Sequence, residues 1–233
     1  DLVRSRGLGD VYKRQILNSL AKKDARLKVI SQKNGGVSAA RNTALKHAKG
    51  EFITYVDADD SLPKTAFSDM LELAADDVDF VICSYNEITV KSRPNPFQNN
   101  VFDGPQDIYN RFRDFDRTIW WPCAKLYKTS IINENHLTYD TSITFGEDHI
   151  FNLLYSKYIT GKVVVSEKMT YNYHHIRGGL TAKFYPDMDE MQKYVYTKIA
   201  DYFGGADKIP KKYEHLYICL LYTSPSPRDR TRS

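Results

Sequence analysis

The stretch NGGVSAARNTALKHAKGEFITYVDADD, residues 34–60, decides the reading of this chain. Its centre, Phe52-Ile53-Thr54-Tyr55-Val56, is apolar on both faces, as a strand buried in a helix-covered sheet must be. Upstream, Ser38 reads as an N-cap, and Ala40, Ala44 and Ala48 recur at helical spacing, small enough for a helix over 39–48 to pack closely on a sheet; Gly50 stops it. Downstream, the strand runs straight into Asp57-Ala58-Asp59-Asp60. In open α/β sheets ligands bind outside the carboxyl ends of the strands, and carboxylates clustered there need a cation or hydrogen bonds to compensate them. Hard oxygen ligands suit Mg²⁺ or Mn²⁺ shared with substrate phosphates, although a D-x-D turn by itself is more commonly a solvated turn with helix-capping Asp residues.

Outward from this stretch the rhythm continues. Residues 16–25 read as the end of a helix, with Ile16, Leu17 and Leu20 on one side, and Leu27–Ser31 as a short strand. After Pro63 a helix over 64–76 carries Phe67, Met70, Leu71 and Ala74 as its buried stripe, and Asp79–Tyr85 is the next strand. Residues 90–118 are polar and irregular, with a helix near 106–114. A helix over 147–156, strands over 162–166 and 169–175, and helical segments over 187–218 complete the chain. Alternating strands and helices predict an α/β sheet with right-handed crossovers.

Three further clusters carry chemistry. In Asn34-Gly35-Gly36 the glycines permit close backbone approach beside a helix N-terminus that favours an anion; Arg41, on the first turn, can reach a diphosphate or lock the Asp loop. Gly146-Glu147-Asp148 opens a helix, where a carboxylate serves either as a dipole partner or as a general base facing a cleft. Tyr171-Asn172-Tyr173-His174-His175-Ile176-Arg177 pairs two histidines with an arginine, and because adjacent strand residues point to opposite faces, one histidine at most faces a site.

Composition excludes several classes. Hydrophobic residues are 42% of the 233 and charged residues 27%, ordinary values for a globular protein. No apolar run approaches the roughly 20 residues that span a bilayer, and the start of the chain is polar and basic, without a signal-peptide core. Cys83, Cys123 and Cys219 are widely spaced with no C-x-x-C pair, which reads as free cytosolic thiols. The net charge of +4 belongs to the ends: residues 1–15 and 219–233 each contribute +2, leaving 16–218 neutral, so nucleic acid is not the expected partner.

Those ends are related in another way. Residues 219–229, CLLYTSPSPRD, can be encoded by DNA whose complementary strand, read one base over, encodes SRGLGDVYKRQ, residues 5–15. That DNA resembles a transposase-type sequencing adapter. The expectation is that 1–15 and 219–233 are non-native, adapter-derived segments flanking a native stretch that lacks its own beginning and end.

Taken in order, the motifs resemble family 2 glycosyltransferases of the GT-A fold. Residues 34–60 are similar to that family's stretch leading into its D-x-D motif, GEDHIFNLLY (146–155) to the helix holding its catalytic base, WPCAKLYKTSII (121–132) to its W-N-K-L-Y segment, and YNYHHIRGGLT (171–181) to the strand and loop that follow. The resemblance implies a GT-A, Rossmann-like mixed sheet flanked by helices over 16–185, lacking its first strands, with a helical extension over 186–218. It implies a bacterial, inverting, metal-dependent hexosyltransferase moving a sugar from a nucleotide-diphosphate sugar, a UDP-sugar first among them, to a glycan or lipid-linked acceptor in cell-surface polysaccharide synthesis. The place implied is the cytoplasm, including the inner face of the membrane.

By that resemblance Asp148 is the general base and Glu147 its support. Asp59 binds Mn²⁺ or Mg²⁺ with His174 or His175 approaching it, and Asp57, Arg41, Asn34, Gly36 and Arg177 hold the donor. Trp120, Trp121 and Lys125 shape the acceptor side. The chain departs from the pattern at Ala124, where the family has Asn, and at Gly179, where a Ser-like residue is expected. The opening strands that hold the nucleobase are also absent. The alternative implied is a sugar-nucleotide-binding or assembly module without catalysis; a metal-dependent phosphohydrolase using Asp57–Asp60 would need a nucleophile loop that nothing here resembles.

Overall fold

A computed structural model describes residues 2–88, 93–95, 99–104, 121–174 and 187–209, which fall into two compact units divided after Gly35. In the first, helix α1 (Leu2–Lys23) runs unbroken past residue 15 and ends on Lys22 and Lys23, cations that suit a helix C-terminus. Ile16, Leu17 and Leu20 lie along it, exposed. The Asp24 carboxylate closes the following turn, accepting from the Arg26 N–H at 3.0 Å and its guanidinium at 2.7 Å. The strand expected over 27–31 does not form. A strand exists by pairing its N–H and C=O groups with a neighbour, and among the described residues the segment has no ladder partner; Leu27 and Ile30 are exposed.

The second unit is built on a six-stranded mixed sheet. Its elements are α2 (Gly36–His47), β1 (Phe52–Ile53), α3 (Ala66–Leu71), β2 (Val78–Ile88), β3 (Arg93–Asn95), β4 (Asn100–Asp103), β5 (Lys125–Lys128), α4 (Thr129–Glu134), α5 (Glu147–Ser156), β6 (Lys162–His174) and α6 (Met188–Phe203). The strand order is β1-β5-β2-β6-β4, with β3 pairing the far part of β2. The parallel pair β2–β6 is its spine, running from Val78 opposite Lys162 to Ile88 opposite His174 with register shifts between Val78 and Phe80 and between Cys83 and Tyr85; β5 runs antiparallel to β1 and β2, and β4 to β6.

Alternation along β2 shows why both faces are covered. Phe80 and Ile82 belong to the larger core with Tyr127, Phe151, Tyr155, Val163 and Val165, whereas Val81 and Cys83 belong to the smaller one with Met70 and Leu126. Both sets are buried, so β2 reads as one apolar run. At its start the buried Asp79 ties three elements: its carboxylate accepts from the Thr160 and Gly161 N–H groups at 2.9 and 2.6 Å and from Lys128 Nζ at 3.1 Å. Those bonds outweigh burial and hold its carboxyl below the usual range.

Several boundaries differ from expectation for identifiable reasons. Helix α2 starts at Gly36, whose φ of +83° glycine adopts without strain, so Ser38 lies buried in the first turn rather than capping it. Strand β1 is two residues long, and beyond it only a single parallel bridge, Tyr55 to Cys123, continues the pairing. In α3 the buried residues are Ala66 and Met70; Phe67 and Leu71, expected inside, are 55% exposed because the short helix turns the adjacent face to the sheet. The two expected strands near 162–175 are one, with a register irregularity opposite Cys83 and Ser84 absorbing Glu167 and Lys168. Residues 90–118, expected irregular, contribute β3 and β4; the helix expected near 106–114 lies outside the described residues. Among the described residues no helix is long and apolar enough to cross a membrane.

Candidate active site

The acidic turn follows β1 and is pinned by the tip of β6. The Asp57 N–H donates to the Tyr171 hydroxyl at 3.1 Å, and that hydroxyl donates to Asp60 Oδ2 at 2.6 Å. Asp60 Oδ1 accepts the His174 N–H at 2.8 Å, and Ser61 and Asn172 exchange both backbone bonds at 2.9 and 3.2 Å. Asp60 is therefore spent on holding the turn. His174, a candidate metal ligand, has Nε2 engaged with Ser61 Oγ at 2.9 Å. Asp59 is exposed, and its carboxylate makes no hydrogen bond or ion pair among the described residues.

Asp57 is half-buried and faces inward. Burial raises its carboxyl above the ordinary value, with Asp60 and Asp59 adding to the effect and Arg41 opposing it. The Cys123 thiol lies 3.8 Å from Asp57 Oδ2; burial and that carboxylate push it up to about 12, so it stays protonated and can donate.

Arg41 sits on the second turn of α2, one turn later than expected because the helix begins at Gly36. Its guanidinium donates to Glu147 Oε1 at 3.2 Å, approaches Asp57 Oδ1 at 3.8 Å and lies over the Tyr139 ring at 5.2 Å. Burial disfavours its charge, but Tyr139, Asp148, Asp57 and Glu147 together outweigh that and hold it above its usual value. Arg41 thus bridges the Asp loop and the helix of Glu147. Next to it Asn42 grips the Tyr139 backbone, donating to its carbonyl at 2.8 Å and accepting its N–H at 2.7 Å, a role with no signal beyond the quoted motif.

Helix α5 presents Glu147 and Asp148 from its first turn. Gly146 precedes them at φ +79°, against Val195 of α6. The carboxyl of Asp148 is held well above the ordinary carboxylate range, first by burial and then by Glu147 beside it, with Arg41 opposing. His149 is buried on the other side, and burial lowers it to about 3, keeping the ring neutral.

Before β5 the chain turns through Ala124 at φ +55°, a left-handed conformation that asparagine adopts more readily than alanine, at the position where the family pattern has Asn. The Trp121 ring is half-buried, with Tyr85, Tyr171 and Tyr173 edge-on to it at 4.9, 5.4 and 5.4 Å. Lys125, expected on the acceptor side, is buried, and its Nζ donates to the Trp121 and Cys123 carbonyls at 2.6 and 3.2 Å. Gly36 opens the second unit and Asn34 belongs to the first. Trp120, His175 and Arg177 lie outside the described residues.

No group of three metal-ligating side chains converges among the described residues. The acidic turn offers the exposed Asp59 carboxylate with Asp57 two residues before it, a hard-oxygen donor set. One or two carboxylates are what Mg²⁺ takes from a protein when substrate phosphates and water complete its shell, so these residues fit a cation arriving with a phosphorylated ligand.

Residues 12–135 match the sequence model of glycosyl transferase family 2, over half the chain, and the chain belongs to that family. Among characterised and uncharacterised relatives, the chain is 34% identical over 215 residues to the uncharacterized glycosyltransferase EpsJ of Bacillus subtilis (88% of this chain, 62% of that protein). It is 24% identical over 186 residues to the poly(ribitol-phosphate) beta-N-acetylglucosaminyltransferase TarP of Staphylococcus aureus (73% of this chain, 54% of that protein). In fold it is similar to S. aureus TarS residues 1–349, crystallised with UDP-GlcNAc, at a TM-score of 0.64 and 20% identity over 89% of this chain and 59% of that one. The fold is thus the GT-A mixed sheet with flanking helices, and the chain spans about three fifths of the length of EpsJ and of that TarS chain.

Proposed function

We propose that this site transfers a sugar, with inversion, from a nucleotide-diphosphate sugar to a hydroxyl of a glycan or lipid-linked acceptor in polysaccharide synthesis. The observation that carries the reading is the Arg41 bridge: one guanidinium joins Asp57 of the acidic turn to Glu147 of the pair Glu147-Asp148. Donor-side carboxylates and a proton acceptor are thereby held on one frame, as a displacement between two bound substrates requires. The crystallisation of the similar TarS chain with UDP-GlcNAc supports a UDP-sugar donor.

In this reading Asp59 and Asp57 would hold Mn²⁺ or Mg²⁺ arriving with the donor. When bound, such a cation offsets the charge that develops on the departing diphosphate. Asp148 accepts the proton of the acceptor hydroxyl as its oxygen bonds the anomeric carbon; the bond from that carbon to the diphosphate breaks, and its electron pair leaves on the diphosphate oxygen. A carboxyl raised above its ordinary range is closer to neutral pH and so a better-matched base. Arg41 and Glu147 orient this arrangement, and Trp121 with its tyrosines offers aromatic surface to the acceptor.

The test is release of nucleoside diphosphate from a panel of sugar nucleotides, with and without Mn²⁺. In Asp148→Asn, turnover should fall about 10²- to 10⁴-fold while donor binding by calorimetry is retained. Unchanged turnover in that variant removes Asp148 from the mechanism, and donor binding without turnover in the parent favours a binding module instead.

A further inference from the structure

The site is assembled from three separate stretches: Asp57 follows β1, Arg41 belongs to α2, and Glu147 and Asp148 open α5. One side chain outside all three packs against each of them. Tyr139, in the segment between α4 and α5, is 1% exposed. Its ring stacks on Phe151 at 4.1 Å with 4° between the planes, and Phe151 stands three residues after Asp148 on α5. Tyr55, two residues before Asp57, meets the ring edge-on at 5.7 Å. The Arg41 guanidinium lies over it at 5.2 Å.

The backbone that carries this ring is fixed from two sides. Asn42 donates to the Tyr139 carbonyl at 2.8 Å and accepts its N–H at 2.7 Å, pairing both backbone groups of one residue. One position on, the Asp140 carboxylate accepts the Ser142 N–H and hydroxyl at 2.8 and 2.6 Å and the hydroxyl of Tyr194, on α6, at 2.7 Å. Arg41 and Asn42 are consecutive, so the residue that grips this backbone and the residue that rests on its ring come from one turn of α2. Arg41 needs such a seat. Its contact with Glu147 Oε1 is 3.2 Å, and its approach to Asp57 Oδ1, at 3.8 Å, is too long for a hydrogen bond. Those two ends alone leave the plane of the guanidinium loosely set. A ring face restricts that plane, because a desolvated guanidinium is drawn to the face and stacks on it flat. Burial holds the Tyr139 phenol well above its ordinary value, so the ring is a neutral face and not a further anion.

We propose that Tyr139 is a positioning residue for this site: its ring fixes the plane of the Arg41 guanidinium, so that one side chain spans Asp57 and Glu147. Tyr139 acts through Arg41 and not on a substrate, and its bearing on turnover rests on the reading of the site as a sugar transferase.

The test follows Arg41 in the full chain. Its guanidinium ¹⁵N–H signals, assigned by their loss in Arg41→Gln, are compared in the parent, Tyr139→Leu and Tyr139→Phe. Tyr139→Leu should erase the ring-current shift of these signals and free rotation about the Nε–Cζ bond; Tyr139→Phe, which keeps the ring, should restore both. In turnover, Tyr139→Leu should lower kcat about 10²-fold, the loss expected when a group is misplaced by about 1 Å. The double variant Tyr139→Leu/Arg41→Gln should be no slower than Arg41→Gln alone. A merely structural tyrosine would lower stability, leave the Arg41 signals of the folded molecules unmoved, and give losses that multiply; either of the last two results overturns the proposal. If Tyr139→Leu does not fold, the reverse arm decides: Arg41→Gln should shift the Tyr139 ring protons, and unmoved ring protons overturn the proposal. Failure of every donor to react would sink the transfer reading while leaving both NMR arms readable.

Discussion

Replacing Gly146 by alanine probes how α6 sets the base helix. Gly146 has φ +79°, where an L side chain costs about 1–2 kcal/mol. A Cβ built there lies 2.6 Å from Val195 Cγ2, and Val195 is 1% exposed with no room to retreat. Overpacking of this kind costs about 1–3 kcal/mol, so Gly146→Ala should destabilise by about 2–5 kcal/mol in all. The two contributions separate in a double-mutant cycle. Val195→Ala alone removes two buried methyls and costs about 1–2 kcal/mol, but it opens the space that the new Cβ needs. The double variant should therefore be less damaged than the sum of the singles by about 1–3 kcal/mol, with the backbone cost remaining. Urea denaturation of the four proteins measures this directly. Additivity within about 0.5 kcal/mol would mean that α6 does not press on the Gly146 turn, and the account of how Glu147 and Asp148 are held would fail.

Tyr171→Phe removes the hydroxyl that joins the Asp57 N–H to Asp60, and should weaken donor binding about tenfold in a calorimetric titration while shifting stability by only about 1–3 kcal/mol. Unaltered donor affinity would show that the acidic turn holds its shape without β6. Asp79→Ala strands the Thr160 and Gly161 N–H groups and Lys128, and should cost about 3–5 kcal/mol in chemical denaturation; a loss under about 1 kcal/mol would refute its role as a tie. For Lys125 the folded-state value of about 7 lies below the ordinary 10.5, so the unfolded chain binds the extra proton between them. Stability relative to Lys125→Met should therefore rise as pH climbs from about 7 towards 10.5, and be lost as pH falls back through 7. A flat difference across that window would mean that Lys125 is not buried as described.

Local pattern was enough for the elements whose signals are local. Glu147–Ser156 carries its acidic first turn and apolar stripe in sequence, and its bounds agree with those expected. The helix before β1, the strand from Val78 and the terminal helix were equally legible, as was membership of glycosyl transferase family 2, because four motifs in order survive translation into one dimension. What failed was whatever depends on a partner. The strand expected over 27–31 has β-branched composition but pairs with no strand among the described residues, and Phe67 and Leu71 have helical spacing on the wrong side of a short helix. Strand β6 looked interrupted at Glu167-Lys168, yet its parallel pairing with β2 carries it across.

The chemical inventory of the site, with its Asp57–Asp60 turn, Arg41, Glu147 and Asp148, was in the sequence by itself, since residue type and spacing suffice to name candidates for cation binding and proton transfer. Their division of labour was not. That Asp60 is consumed by Tyr171 and the His174 N–H, that Arg41 spans Asp57 and Glu147, and that Lys125 is enclosed all depend on tertiary packing, as in the Asp60 contacts across 111 and 114 positions. Burial and charge proximity set which carboxylate is a tie and which is held above its ordinary range, and both are properties of packed chains in three dimensions.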